Sequence, residues 1–229
     1  ISQHTLAPCD RERVIRLVAS GVGEAAHAKS PIVSAELPGS GERFEGLLPP
    51  VSTAPCFSIR KPATTPFELG DYVTQGALAP ALATALKDSI ASHANILIAG
   101  GTSSGKTTFT NALLAEASLH DDRIVILEDL VRSTLRLRPD RIIVGEVRGA
   151  EALDLLKAWN TGHPGGITTL HANSAHGALA RLEQLTLEAT PRAPFDLIAE
   201  AIDVVVFMSR AGGQRRVEEA LRVTGFDGE

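Results

Sequence analysis

An α/β fold with a mostly parallel sheet, preceded by a smaller α+β region, is what the sequence predicts, and three features carry that prediction. Residues 100–107 read Gly-Gly-Thr-Ser-Ser-Gly-Lys-Thr, a complete G-x-x-x-x-G-K-[ST] set between an apolar run and a helical pattern. Downstream, apolar runs alternate with amphipathic stretches, the pattern of a parallel sheet covered on both faces. Upstream, one helical segment is followed by short strand-like runs separated by turn residues.

Taken in order, residues 10–26 open as a helix, with Asp10 as its cap and Val14, Leu17 and Val18 on one face. Residues 31–37 and 43–50 read as strands joined by a Gly39-Ser40-Gly41 turn, and residues 56–60 as a third. Pro62 and Pro66 punctuate a joint. The division is therefore an N-terminal domain over 1–61, a linker over 62–70 and a second domain over 71–229. Residues 71–91 are helical in period. Strands are expected over 95–99, 123–128, 141–146, 166–171 and 203–208, with 216–223 as a closing hairpin strand. Helices are expected over 108–116, 151–159 and 175–189. Gly212-Gly213-Gln214 is similar to the signature loop of ABC-type ATPases, but that loop should precede the Walker B strand, here 141–146, and instead follows everything else, so the likeness is set aside.

Composition narrows the class. A chain of 229 residues with 44% hydrophobic and 21% charged residues has the balance of a globular protein. No run approaches the ~20 apolar residues that cross a bilayer, and no signal-peptide pattern opens the chain. Cys9 and Cys56 suit a reducing compartment better than a disulfide framework. A net charge of −5 argues against a nucleic-acid footprint. A cytosolic protein is expected. Because the chain opens on Ile1, its N-terminal domain is expected to be incomplete.

The chemistry starts at the glycine loop. Backbone amides of Gly100, Gly101, Thr102, Ser103, Ser104, Gly105 and Thr108 would wrap phosphate oxygens, aided by the helix N-terminus. Lys106 would reach the β- and γ-phosphates and the Thr107 hydroxyl would sit on Mg²⁺, so ATP and Mg²⁺ are the expected cofactors. In a parallel sheet ligands lie at the carboxyl ends of the strands, which singles out Glu128, Asp129, Glu146 and His171. Glu146 could hold Mg²⁺ through water or activate the attacking water, with Glu128 as runner-up. His171 could hydrogen-bond a γ-phosphate, whereas His163 reads as a loop residue. The Cys, His and acid spacing forms no zinc-type cage.

Four stretches then come in a fixed order. They are the glycine loop, the acidic box Ile-Val-Ile-Leu-Glu-Asp at 124–129, Leu-Arg-Leu-Arg-Pro-Asp-Arg-Ile-Ile-Val-Gly-Glu-Val-Arg at 135–148, and Thr-Thr-Leu-His-Ala-Asn at 168–173. Together they resemble the Walker A, Asp box, Walker B and His box of the secretion-superfamily traffic ATPases. The stretch from Gly145 to Gly166 is similar to conjugal-transfer ATPases of the TrbB type in type IV secretion. The resemblance implies a RecA-like P-loop NTPase domain behind an α+β N-terminal domain. It also implies an ATPase that assembles as a homo-oligomer, a hexameric ring, with the catalytic roles on Glu146, Glu128 and His171. Arg60 is expected to close over the nucleotide from the N-terminal domain, and Arg136 and Arg148 to donate charge across a subunit boundary. A cytoplasmic, peripheral place on inner-membrane secretion components follows, with DNA or protein as indirect cargo. The alternative is a pilus extension or retraction ATPase of the type IV pilus or type II secretion class. Two departures from the pattern stand out. Family members carry about twenty further residues between the acidic box and the helix matching 130–138, far beyond an ordinary connection. The N-terminal domain is also short by several strands. Asp129–Leu130 is therefore expected to hide a missing segment.

Overall fold

The computed structural model describes residues 6–61, 67–127 and 138–226. Glu128, Asp129 and Arg136, and with them the acidic box's carboxylates, lie outside the described residues. The chain divides into two compact units, residues 1–65 and 66–229.

In the first unit, helix α1 (Pro8–Gly21) faces a three-stranded antiparallel sheet of β1 (Ile32–Glu36), β2 (Arg43–Leu47) and β3 (Cys56–Arg60), in the order β1-β2-β3. The helix starts earlier than the sequence suggests. Ala7 is its extended N-cap and Pro8 opens it with a pre-set φ. Asp10 sits in the first turn, where its charge meets the positive end of the helix, and does not cap it. The buried stripe centres on Ile15 and Ala19, with Val14 and Val18 at its margins and Leu17 63% exposed. The core joins that stripe to Val33, Phe44 and Leu48, and Phe44 stacks on Phe57 at 5.5 Å. The glycine-flanked turn closes β1 onto β2, with the Leu37 amide donating to the Glu42 carbonyl.

The described residues of the second unit form a six-stranded sheet in the order β5-β6-β7-β4-β8-β9. Its strands are β4 (Ile96–Gly100), β5 (Ile124–Leu127), β6 (Arg141–Val144), β7 (Ile167–Leu170), β8 (Val204–Ala211) and β9 (Gln214–Arg222). All pairings are parallel except β8 with β9. Alternate residues of β4 point to opposite faces. Leu97 and Ala99 pack under α5 (Glu151–Asn160), α6 (Ala175–Thr186) and α7 (Phe195–Ala201). Ile96 and Ile98 pack under α2 (Leu69–Thr74), α3 (Pro80–Ala91) and α4 (Lys106–Ala117). Burial on both faces explains why β4 is continuously apolar.

Two expectations need correction here. The helical period over 71–91 is divided between α2 and α3, because Gly76 takes a left-handed φ of 68° and Pro80 restarts the helix. Helix α7 was not anticipated, being only seven residues long. At the amino end of the sheet Arg141 is fully buried and donates to the Ile90 carbonyl at 2.9 Å and to Asp122. Burial opposes the Asp122 charge, but Arg141 and His93 hold its carboxyl below the ordinary range. At the carboxyl end, β4 is flanked by β7 and β8, and the glycine loop opens there.

Candidate active site

The loop between β4 and α4 is shaped by two glycines. A side chain on Gly100 would run into the Met208 carbonyl of β8 and the Ser104 hydroxyl, so only glycine fits. Gly105, at φ 101°, is the N-cap of α4 and brings no capping side chain. The amide of Phe109 donates to the Gly105 carbonyl at 2.9 Å, so the preceding amides open the helix without an intrahelical acceptor. Together with a buried Ser104 hydroxyl that has no partner among the described residues, these groups fit a polyphosphate. Thr107 lies exposed in the first turn of α4 with Thr108 half-buried beside it, while Gly101, Thr102 and Ser103 line the open side of the loop.

Lys106 is only 8% exposed. Its ammonium donates to the carbonyls of Gly100 at 2.8 Å and Gly101 at 3.1 Å, and lies 3.4 Å from His171 Nδ1. Burial lowers its pKa from the ordinary value, and the Glu146 carboxylate works against that. His171 Nε2 is 2.8 Å from Glu146 Oε1, and Arg148 Nη2 donates to Glu146 Oε2 at 2.7 Å. One tautomer satisfies the row: Nδ1 accepts from Lys106 while Nε2–H donates to Glu146. Four residues from three separate stretches of chain thus form one polar row beside the loop.

The backbone around Glu146 is clamped from both sides. The Gly145 amide donates to the Leu127 carbonyl of β5 at 2.9 Å. On the other side the Thr169 hydroxyl donates to the Gly145 carbonyl at 2.7 Å, and the Val147 amide donates to the Thr169 carbonyl at 2.9 Å. Just beyond, the Glu151 carboxylate accepts the amides of Arg148 at 2.7 Å and Gly149 at 2.9 Å. Burial would raise the Glu151 pKa, yet these amide contacts hold it below its ordinary value. The segment that carries Glu146 is thus tied to β5, to β7 and to the start of α5.

The structure therefore brings together Lys106, His171, Glu146 and Arg148. Arg60 ends β3 in the first unit, and His163 lies in the loop ahead of β7. Two contributors were not anticipated from the sequence. Thr169 reads as one more strand residue, and its partner lies 24 positions away. Arg215 of β9 reaches across from the far edge of the sheet, its Nε donating to the Ser103 carbonyl at 3.2 Å. The signal that could have found Arg215 is Gly212-Gly213. With φ values of 60° and 83° these residues make the two-residue turn that folds β9 back along β8.

Comparison with known proteins agrees with this geometry. The model of the family described as "Type II/IV secretion system protein" matches residues 25–131 and 127–216. The chain is 46% identical to a conjugal transfer protein TrbB of Rhizobium radiobacter, over 99% of this chain and 78% of that protein. That alignment runs to 252 positions against 229 residues here, so the relative has residues without a counterpart in this chain. The VirB11 ATPase of the Brucella suis type IV secretion system, solved with sulphate, superposes with a TM-score of 0.57 at 29% identity, covering 90% of this chain and 78% of that one. The Legionella pneumophila ATPase DotB superposes with a TM-score of 0.68 at 21% identity, covering 98% and 71%, and shares the fold. A glycine loop, a clamped strand-end glutamate and a paired histidine on this architecture make the chain a member of the type II/IV secretion system protein family, as one of its P-loop ATPases.

Proposed function

We propose that the chain is the ATP-hydrolysing subunit of a hexameric ring motor in a type IV secretion or conjugation apparatus. In this reading it sits at the cytoplasmic face of the inner membrane and powers transfer of DNA or protein, or pilus assembly. The likeness to a conjugal transfer protein over nearly the whole chain supports the setting. Among the described residues no helix is long and apolar enough to cross a membrane, which agrees with docking on inner-membrane components as a peripheral subunit.

The observation that carries the reading is the row Lys106–His171–Glu146–Arg148 beside the loop. Bound ATP with Mg²⁺ supplies the phosphoryl group and a counter-charge for its oxygens. The amides of residues 100–108 and the Lys106 ammonium hold the triphosphate, and the Thr107 hydroxyl and Glu146, directly or through water, hold the metal. Glu146 takes the proton of the attacking water, with Glu128 the alternative base. His171 orients the Glu146 carboxylate through Nε2–H, and its Nδ1, the acceptor of the Lys106 ammonium, keeps that charge beside the γ-phosphate. Arg148, which neutralises Glu146 within this chain, and Arg136 are the candidates to serve a neighbouring subunit's site.

Two measurements test the proposal together. Lys106→Ala is expected to abolish turnover and weaken nucleotide binding, whereas Glu146→Gln keeps ATP bound and uncleaved. Light scattering with a non-hydrolysable ATP analogue is expected to give a six-subunit mass. Wild-type turnover by Glu146→Gln would move the base to Glu128, and a monomer with and without analogue would end the ring reading.

A further inference from the structure

The Arg215 contact to the glycine loop is assigned no role by the reaction above. Arg215 stands two residues beyond the turn, on a strand whose neighbour β8 pairs with β4. Its Nε donates to the Ser103 carbonyl at 3.2 Å, and its Cδ occupies the place where a Cβ on Gly105 would come within 2.9 Å. The residues it touches are the two that hold left-handed backbone in the loop, Ser103 at φ 62° and Gly105 at φ 101°. For Ser103 that conformation carries a steric penalty, and a fixed donor to its carbonyl offsets it.

The strand that carries Arg215 is itself anchored. The Val217 amide donates to the Ala77 carbonyl at 2.9 Å, in the connection between α2 and α3. Tyr72 of α2 packs edge-on against Phe109 of α4 at 5.1 Å. Burial pushes the Tyr72 hydroxyl up to about 12, while the nearby Arg215 charge pulls it down. Helix α2, the β9 strand and the start of α4 therefore meet around the loop.

The geometry points to Arg215 as a positioning residue for nucleotide binding: through Ser103 it holds the outer turn of the loop in the conformation that presents its amides to phosphate. The inference rests on the nucleotide-binding reading of the site. It requires that losing Arg215 affect affinity and leave the chemical step alone, because the backbone around Glu146 is held by β5 and β7 and not by the loop.

The test uses the whole chain with ADP as probe. Titration calorimetry with ADP, steady-state ATPase kinetics and amide hydrogen exchange are compared for wild type, Arg215→Ala, Arg215→Lys and the neighbouring Arg216→Ala. Arg215→Ala is expected to weaken ADP and raise KM by about five-fold, the scale of an exposed charge-assisted contact, with kcat within about two-fold. Exchange over 101–105 is expected to quicken, Arg216→Ala to match wild type, and Arg215→Lys, without the Nε donor, to recover less than half of the lost affinity. An unchanged ADP affinity, a fall in kcat at constant KM, or full recovery with lysine would each overturn the inference. Should Arg215→Ala fold poorly, Arg215→Lys carries the comparison. Failure of the wild-type chain to bind ADP would remove the nucleotide reading itself.

Discussion

Lys106 is a buried ammonium whose charge is tolerated because two carbonyls and a carboxylate face it. Its lowered pKa means that the unfolded chain binds more protons between the folded value and the ordinary 10.5. The burial cost is therefore felt in full below the folded pKa and disappears as pH rises toward 10.5. Removing the Glu146 charge takes away the influence that raises the Lys106 pKa. Glu146→Gln is expected to lower it further, read as the pH dependence of Lys106 acylation by mass spectrometry. An unchanged or higher midpoint would mean that the two groups are not coupled. Lys106, Glu146 and His171 are legible one by one in the sequence, since each stands at a strand end or in the glycine loop, whereas Arg148 enters only through the resemblance. Their tautomer-consistent hydrogen bonding is not, because it depends on the relative heights of β6 and β7.

Strands β4, β6 and β7 could be placed closely, since all three are buried along their length, with Arg141, Thr168 and Thr169 the only polar residues among them. The helical segments were less legible. A period of 3.6 runs through 71–91 without registering that Gly76 turns left-handed, and seven residues of α7 make too short a period to stand out. Asp10 and Leu17 show the same weakness in α1, where the tertiary contact of Ile15 and Ala19 decides which stripe faces inward. Cross-strand ties are the least legible of all, and Thr169 is the instructive one. It holds the Gly145 carbonyl with its hydroxyl and the Val147 amide with its carbonyl. Thr169→Val removes only the first, leaving the carbonyl without its donor. The expected result is a loss of about 1 kcal/mol in unfolding free energy and a drop in kcat larger than that in nucleotide affinity. Denaturant unfolding and steady-state kinetics would check this, and equal kcat would show that the backbone bond alone fixes Glu146.

For the molecule as a whole, the family match comes in two segments that overlap at residues 127–131, and the alignment with a relative is longer than this chain. The proposed peripheral docking on inner-membrane components predicts release from membranes by high salt or carbonate. Retention through both washes would contradict peripheral docking.

Trp159 is the sole tryptophan, 2% exposed, with its indole N–H donating to the Ile142 carbonyl at 3.1 Å, and Tyr72 is the sole tyrosine. Both belong to the second unit, whereas the aromatic pair of the first is Phe44 and Phe57. Intrinsic fluorescence excited at the indole is consequently an optical reporter of one unit alone. Its emission is expected to start blue-shifted and move to the red as α5 separates from β6. Melting of the first unit would pass unseen in that channel. A far-ultraviolet dichroism or calorimetric trace that departs from the fluorescence curve would reveal the two units as separate cooperative blocks, and superimposed traces would show them melting as one.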